Sequence, residues 1–165
     1  MRANSPRLCF SILTLSLLIL IAAATFACAQ TPNLDEAMAL LQAETAKLGE
    51  PRSEGPSLYF GGTKMNENYE IVDKVKERFG ITATLFLKED GCFRRVSTNI
   101  IKVAGIRAIG SVLDPNGPAI EALLRGGRFA GQVDVFGQMY DAIYEPILDA
   151  GGAVVGAYYV GALVK

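Results

Sequence analysis

Between Ile81 and Leu163 the apolar residues recur with period two in five segments, and three of the four junctions between those segments are only two to four residues long. Residues 81–88 and Cys92–Thr98 flank Glu89-Asp90-Gly91. Residues 128–136, 139–148 and 153–163 are joined by Gly137-Gln138 and by Asp149-Ala150-Gly151-Gly152. Turns this short connect antiparallel neighbours, because a parallel pair needs a crossover of about a dozen residues or more. Residues 57–61 add a sixth short candidate, with Leu58 and Phe60 on one face and Tyr59 on the other. The chain is thereby bound to a largely antiparallel sheet.

Helical spacing appears ahead of that region. Asn33 followed by Glu36 has the spacing of a capping box. Leu34, Met38, Leu41, Thr45 and Leu48 then recur at alternating steps of four and three, which puts them on one face. Such a stripe fits packing against the chain's own sheet or against a second copy. Residues 51–56, rich in Pro, Ser and Gly, read as a turn-rich connection. A second helix is expected over residues 66–79, with Asn66 as N-cap, Tyr69, Val72, Val75 and Phe79 on one side, and Gly80 as C-cap. Leu113 to Gly117 reads as a turn leading into a short helix, Pro118–Leu124. The expected class is α+β: an antiparallel sheet of five to six strands, with the N-terminal helix and a second helix packed on one side.

The first residues have a different character. Arg2 and Arg7 precede an apolar run over residues 8–24, and Ala27-Cys28-Ala29 supplies small residues for signal peptidase. Cleavage after Ala29 is expected, with an uncleaved anchor and acylation at Cys28 as alternatives. Acylation is the weaker of these, since Thr25 stands where an aliphatic residue is expected. The division is therefore a signal peptide over 1–29, a helix and linker over 30–56, and one domain over 57–165. Removal of two arginines and no acid moves the formal net charge from −1 to about −3. No basic stripe is present, so a nucleic-acid partner is not expected.

Histidine is absent from all 165 residues. That removes Ser–His and Cys–His nucleophile pairs and the commonest metal ligand. No zinc pattern, EF-hand loop or P-loop spacing is present, so neither a metal nor another cofactor is expected. Cys92 would stand alone after export and reads as a small buried residue at a strand start.

A series of short motifs punctuates the strands: Val72-Asp73-Lys74-Val75-Lys76, Thr82-Ala83-Thr84-Leu85-Phe86, and Phe93-Arg94-Arg95-Val96-Ser97-Thr98-Asn99. Leu113-Asp114-Pro115-Asn116-Gly117-Pro118 and Tyr140-Asp141-Ala142-Ile143-Tyr144-Glu145-Pro146-Ile147 follow. Their order and spacing resemble the single Cache domain of the Cache 3/Cache 2 fusion type, from Leu58 to about Gly161. The resemblance implies a PAS-like fold and an extracytoplasmic sensory role of the kind found in chemoreceptors and kinases. Such receptors run on into a membrane span and an output domain. This sequence stops at Lys165, which reads as a sensor with no output domain of its own.

The resemblance also points to candidate ligand-binding residues. In Cys92–Thr98, Phe93, Arg95 and Ser97 alternate against Cys92, Arg94, Val96 and Thr98, so the two arginines face opposite ways. Arg95 is the position matched to the family pattern. Its forked donors suit a ligand carboxylate, and an ion pair with Asp134, Asp141 or Glu145 is the structural alternative. Arg107 lies in the long connection that lids the pocket in PAS-like sensors, where it could close over an anion or stay solvated. Tyr140 and Tyr144 share a strand face, near Asp134 on the neighbouring strand, and combine apolar walls with polar tips. Arg95, Ser97, Arg107, Asp134, Tyr140 and Tyr144 form the expected site, with no catalytic residue. The function expected is binding of a small molecule, a small organic anion, without catalysis. An interaction module that dimerises or docks on a membrane receptor is the alternative, and a small enzyme with an Asp or Glu base is a third reading.

Overall fold

The computed structural model describes residues 33–102 and 105–165, so the signal-peptide segment lies outside the described residues. Helix α1 (Leu34–Ala46) starts at Asn33, whose Oδ1 accepts from the amides of Asp35 (3.1 Å) and Glu36 (3.2 Å). These are two of the first-turn donors that a helix cannot satisfy internally. Three short strands follow, β1 (Pro51–Glu54), β2 (Ser57–Phe60) and β3 (Thr63–Lys64), then α2 (Glu70–Phe79). Strands β4 (Thr82–Glu89) and β5 (Cys92–Thr98), the short helix α3 (Pro118–Leu124), and strands β6 (Phe129–Val135), β7 (Gln138–Leu148) and β8 (Val154–Leu163) complete the order.

The last five strands form one antiparallel sheet ordered β5-β4-β8-β7-β6, and the first three form a small separate sheet. Both faces of the large sheet are covered. On one face α1, α2 and the small sheet bury Met38, Leu41, Phe60, Val72, Val75, Leu85, Leu87, Tyr158 and Val160. On the other, α3 and the connection before it bury Phe86, Phe93, Leu113, Leu123, Tyr144 and Tyr159. Consecutive residues therefore alternate between two cores, as Leu85 and Phe86 do in β4. Tyr158 and Tyr159 show the consequence. They face opposite ways, and both are buried.

The stripe on α1 resolves in favour of the chain's own sheet. Ala37, Met38, Leu41 and Thr45 are buried there, and the Thr45 hydroxyl lies 3.1 Å from the Tyr158 hydroxyl. No described helix is long and apolar enough to cross a membrane.

Three expectations are corrected. Residues 51–56 are not only a connection: Pro51–Glu54 pairs with β2, and only Gly55-Pro56 turns. Proline is tolerated because β1 is an edge strand. Helix α2 begins after Tyr69, not after Asn66. The Asn66 side chain instead braces the small sheet, accepting from Leu58 N (3.0 Å) and donating to Pro56 O (2.9 Å), and Glu67 adopts φ 59°. Cys92 is exposed, because it sits at the rim beside the Asp90-Gly91 turn. Pro146 lies within β7, opposite Ala157 of β8. β6 ends its pairing at Tyr144, so the flank of β7 at Pro146 that would face β6 needs no amide donor.

Candidate functional site

Strand β5 lies at the edge of the large sheet and pairs with β4 in a register that slips once. Phe86 faces Arg95 and Leu85 faces Ser97, so Val96 is an extra residue without a counterpart. Such a bulge reverses the alternation that a regular strand would keep. Arg95 therefore shares the α3 face with Phe86, while Ser97 shares the α2 face with Leu85. Strict alternation put Arg95 and Ser97 together, and the bulge separates them. The Ser97 hydroxyl donates to the Asn68 carbonyl at 2.5 Å, ahead of α2.

The outer edge of β5 is covered by the long connection. Arg95 N donates to Ser111 O at 2.9 Å, Gly110 N to Arg95 O at 2.9 Å, and Leu113 N to Phe93 O at 2.8 Å. This lays Ser111 and Val112 beside the guanidinium. Arg95 Nη1 donates to Ser111 Oγ at 3.0 Å and to Val112 O at 3.5 Å. Its Nε is buried with no partner among the described residues. Aromatic rings stack on the same group: the Phe86 centroid is 4.9 Å from Cζ and the Phe136 centroid 5.3 Å. Arg95 is only 5% exposed, and burial lowers its pKa, with Tyr144 and Tyr159 opposing.

The ion pairs considered for Arg95 are not made. Asp141 and Glu145 belong to the opposite face of β7 from Tyr140 and Tyr144. Glu145 accepts from Gln42 Nε2 at 2.6 Å and lies 3.4 Å from Arg128 Nε. Asp134 Oδ1 accepts from Gly137 N at 2.9 Å, closing the β6–β7 hairpin. Among the described residues no carboxylate pairs with Arg95. A buried cation with that little compensation is costly.

Arg95 opens onto a cavity of about 350 Å³. Tyr144 lines it, Leu113 and Asp114 supply the wall from the connection, Ala119 comes from α3, and Val133, Asp134 and Phe136 come from β6 and its turn. The turn is Phe136-Gly137, one residue earlier than expected, with φ 56° and 81°. It holds the Phe136 ring, half exposed, over Arg95, and Lys102 Nζ also lies 5.0 Å from that ring. Burial pushes the Tyr144 phenol up to about 12 despite the neighbouring Arg95 charge.

Of the six expected site residues, Arg95, Asp134 and Tyr144 line this cavity. Tyr140 shares its core, but the hydroxyl donates to Gln138 Oε1 at 3.2 Å and does not line the cavity. Arg107 is held elsewhere. Its Nη1 and Nη2 donate to the two oxygens of Asp73 in α2 at 2.7 and 2.8 Å, Nη1 also donates to Thr98 O at 2.8 Å, and the guanidinium stacks 4.2 Å from the Tyr69 ring. The group is spent on bracing the connection against α2. Arg94 points outward and pairs with Glu89 at 2.8 Å. Asp114, Ser111 and Phe136 escaped notice. Asp114 lies within Leu113-Asp114-Pro115-Asn116-Gly117-Pro118, but nothing in its spacing ties it to Arg95.

The family model described as the Cache 3/Cache 2 fusion domain matches residues 31–165. Among solved structures, the sensor domain of E. coli DcuS is similar at 22% identity and TM-score 0.40, over 56% of this chain and 62% of that one. No curated protein matches.

Proposed function

The chain belongs to the Cache 3/Cache 2 fusion domain family, and from that premise we propose that it is an exported sensor-type domain binding a small organic anion in the cavity beside Arg95. One observation carries the reading: the Arg95 guanidinium is buried, faces a cavity of about 350 Å³, and has no carboxylate partner among the described residues. A forked cation of this kind matches a carboxylate bidentately, and a ligand would supply the charge that the fold withholds. The cavity volume lies within the range of small-molecule sites. Tyr144, Val133 and Phe136 supply apolar walls with one phenol among them.

The export part of the proposal rests on Arg2, Arg7, the apolar run over residues 8–24 and the small residues Ala27-Cys28-Ala29. The family's sensory role makes binding, not turnover, the expected activity.

Thermal melting of the purified domain against a panel of short carboxylates, dicarboxylates and amino acids tests the reading. A concentration-dependent rise in Tm with at least one compound supports it. No rise with any compound, together with a concentration-dependent dimer, would favour an interaction module that docks on a membrane receptor.

A further inference from the structure

Two donors beside the cavity are left over by the fold. Arg95 Nε is buried without a hydrogen bond among the described residues. The Tyr144 hydroxyl likewise makes none to a described residue, although Tyr144 is 1% exposed and lines the cavity. Both groups pack on one ring: the Phe86 centroid is 4.9 Å from Arg95 Cζ and 6.2 Å from the Tyr144 centroid. With its pKa pushed up to about 12, the phenol keeps its proton at neutral pH and can donate it. A carboxylate carries an oxygen for each of these donors.

The rest of the wall is apolar. Leu113, Ala119, Val133 and Val135 line the cavity and are buried in the same core as Tyr144. Arg95 is the one cation among the described lining residues. Asp134 is exposed and alternates with the buried Val133 and Val135, so its side chain points to the other side of β6. Asp114 is exposed in its turn, with Oδ1 accepting from Asn116 N at 2.9 Å. A second carboxylate on a ligand would therefore meet no cation and would be desolvated against aliphatic side chains. An apolar body in the same place would be favoured. We infer that the cavity takes a monocarboxylate with an apolar body, its carboxylate accepting from Arg95 Nε and the Tyr144 hydroxyl. This rests on the anion-binding reading above and narrows it to a ligand class.

Calorimetric titration of the domain with acetate, butyrate, hexanoate and succinate separates the two readings. Affinity should rise along the three monocarboxylates by roughly two- to fourfold per methylene. Butyrate should bind at least tenfold more tightly than succinate, which differs by a carboxylate in place of the terminal methyl. Tyr144→Phe keeps the ring in the core and should weaken every monocarboxylate by about tenfold, the scale of one hydrogen bond to a charged group, with the order along the series unchanged. Succinate binding as tightly as butyrate, or an affinity flat from acetate to hexanoate, would overturn the ligand class and leave the anion site standing. Unchanged affinities in Tyr144→Phe would overturn the role of the hydroxyl. Binding of none of the four acids would overturn both readings.

Discussion

Arg95 and Phe86 face each other across β5 and β4, with the guanidinium carbon 4.9 Å from the ring centroid, and the extra residue Val96 keeps them on one face. The aromatic face offers a cation partial compensation, and Ser111 Oγ and Val112 O add hydrogen bonds. None of these is an opposite charge. The site is built around a cation that the fold solvates poorly.

The first prediction concerns the cost of that cation. Arg95→Met removes a buried charge while keeping much of the side-chain volume. Loss of two neutral-acceptor hydrogen bonds is offset by relief of desolvation, so ligand-free stability should stay within about 1 kcal/mol of wild type or rise. Urea denaturation measures it. A loss of about 3 kcal/mol or more would mean that Arg95 is a satisfied structural residue.

Phe136 should show opposite signs for stability and binding. Its φ of 56° is unfavourable for a residue with a Cβ, and the turn it shares with Gly137 prefers Asn-Gly. Phe136→Asn is expected to stabilise the free domain by about 0.5–1 kcal/mol. The same change strips a ring from Arg95 and should weaken ligand binding. Paired melting and titration experiments read both effects.

Arg107 and Asp73 form a brace and not a binding pair. Arg107→Ala should destabilise the domain by roughly 1–2 kcal/mol, since the pair is bidentate and only partly exposed. Ligand affinity should remain within about twofold, because a change of that size is under 0.5 kcal/mol. A large loss of affinity at unchanged stability would place Arg107 in the site after all.

Alkaline behaviour follows from the buried phenols of Tyr144, Tyr158 and Tyr159. Burial raises Tyr144 from 10.0 to about 12 and also raises Tyr158 and Tyr159. Each binds its proton more tightly in the folded state, so the associated stability is present below pH 10 and declines as pH rises toward 12 and beyond. Spectrophotometric titration should show Tyr144, Tyr158 and Tyr159 ionising late, together with unfolding. Tyr144→Phe should flatten the fall in stability between pH 10 and 12.

Much of this architecture was legible in the residues. The strand Cys92–Thr98 and the helix Pro118–Leu124 match their expected limits, because turn residues and a helix-starting proline mark their ends locally. The small strand Pro51–Glu54 was hidden by Pro51 and by the adjoining Gly55-Pro56, which signal turns wherever pairing does not override them. Ser97 was misplaced for a different reason. A bulge depends on how β5 registers against β4, and no residue in Phe93-Arg94-Arg95-Val96-Ser97 announces it. Arg107 meets Asp73 across 34 residues, and Asp114 reaches Arg95's cavity only because the connection folds back along β5. Such meetings are tertiary, beyond the reach of periodicity.

Calorimetric titration of wild type and Arg95→Gln with whichever organic acid raises the melting temperature most tests the anchor directly. Glutamine removes the charge and the fork but can still donate to Ser111. Wild type should bind and the folded variant should lose at least about a hundredfold in affinity, roughly 2.7 kcal/mol, the scale of a charge-assisted bidentate contact. Equal affinity in a variant that melts like wild type would show that the ligand is held without Arg95.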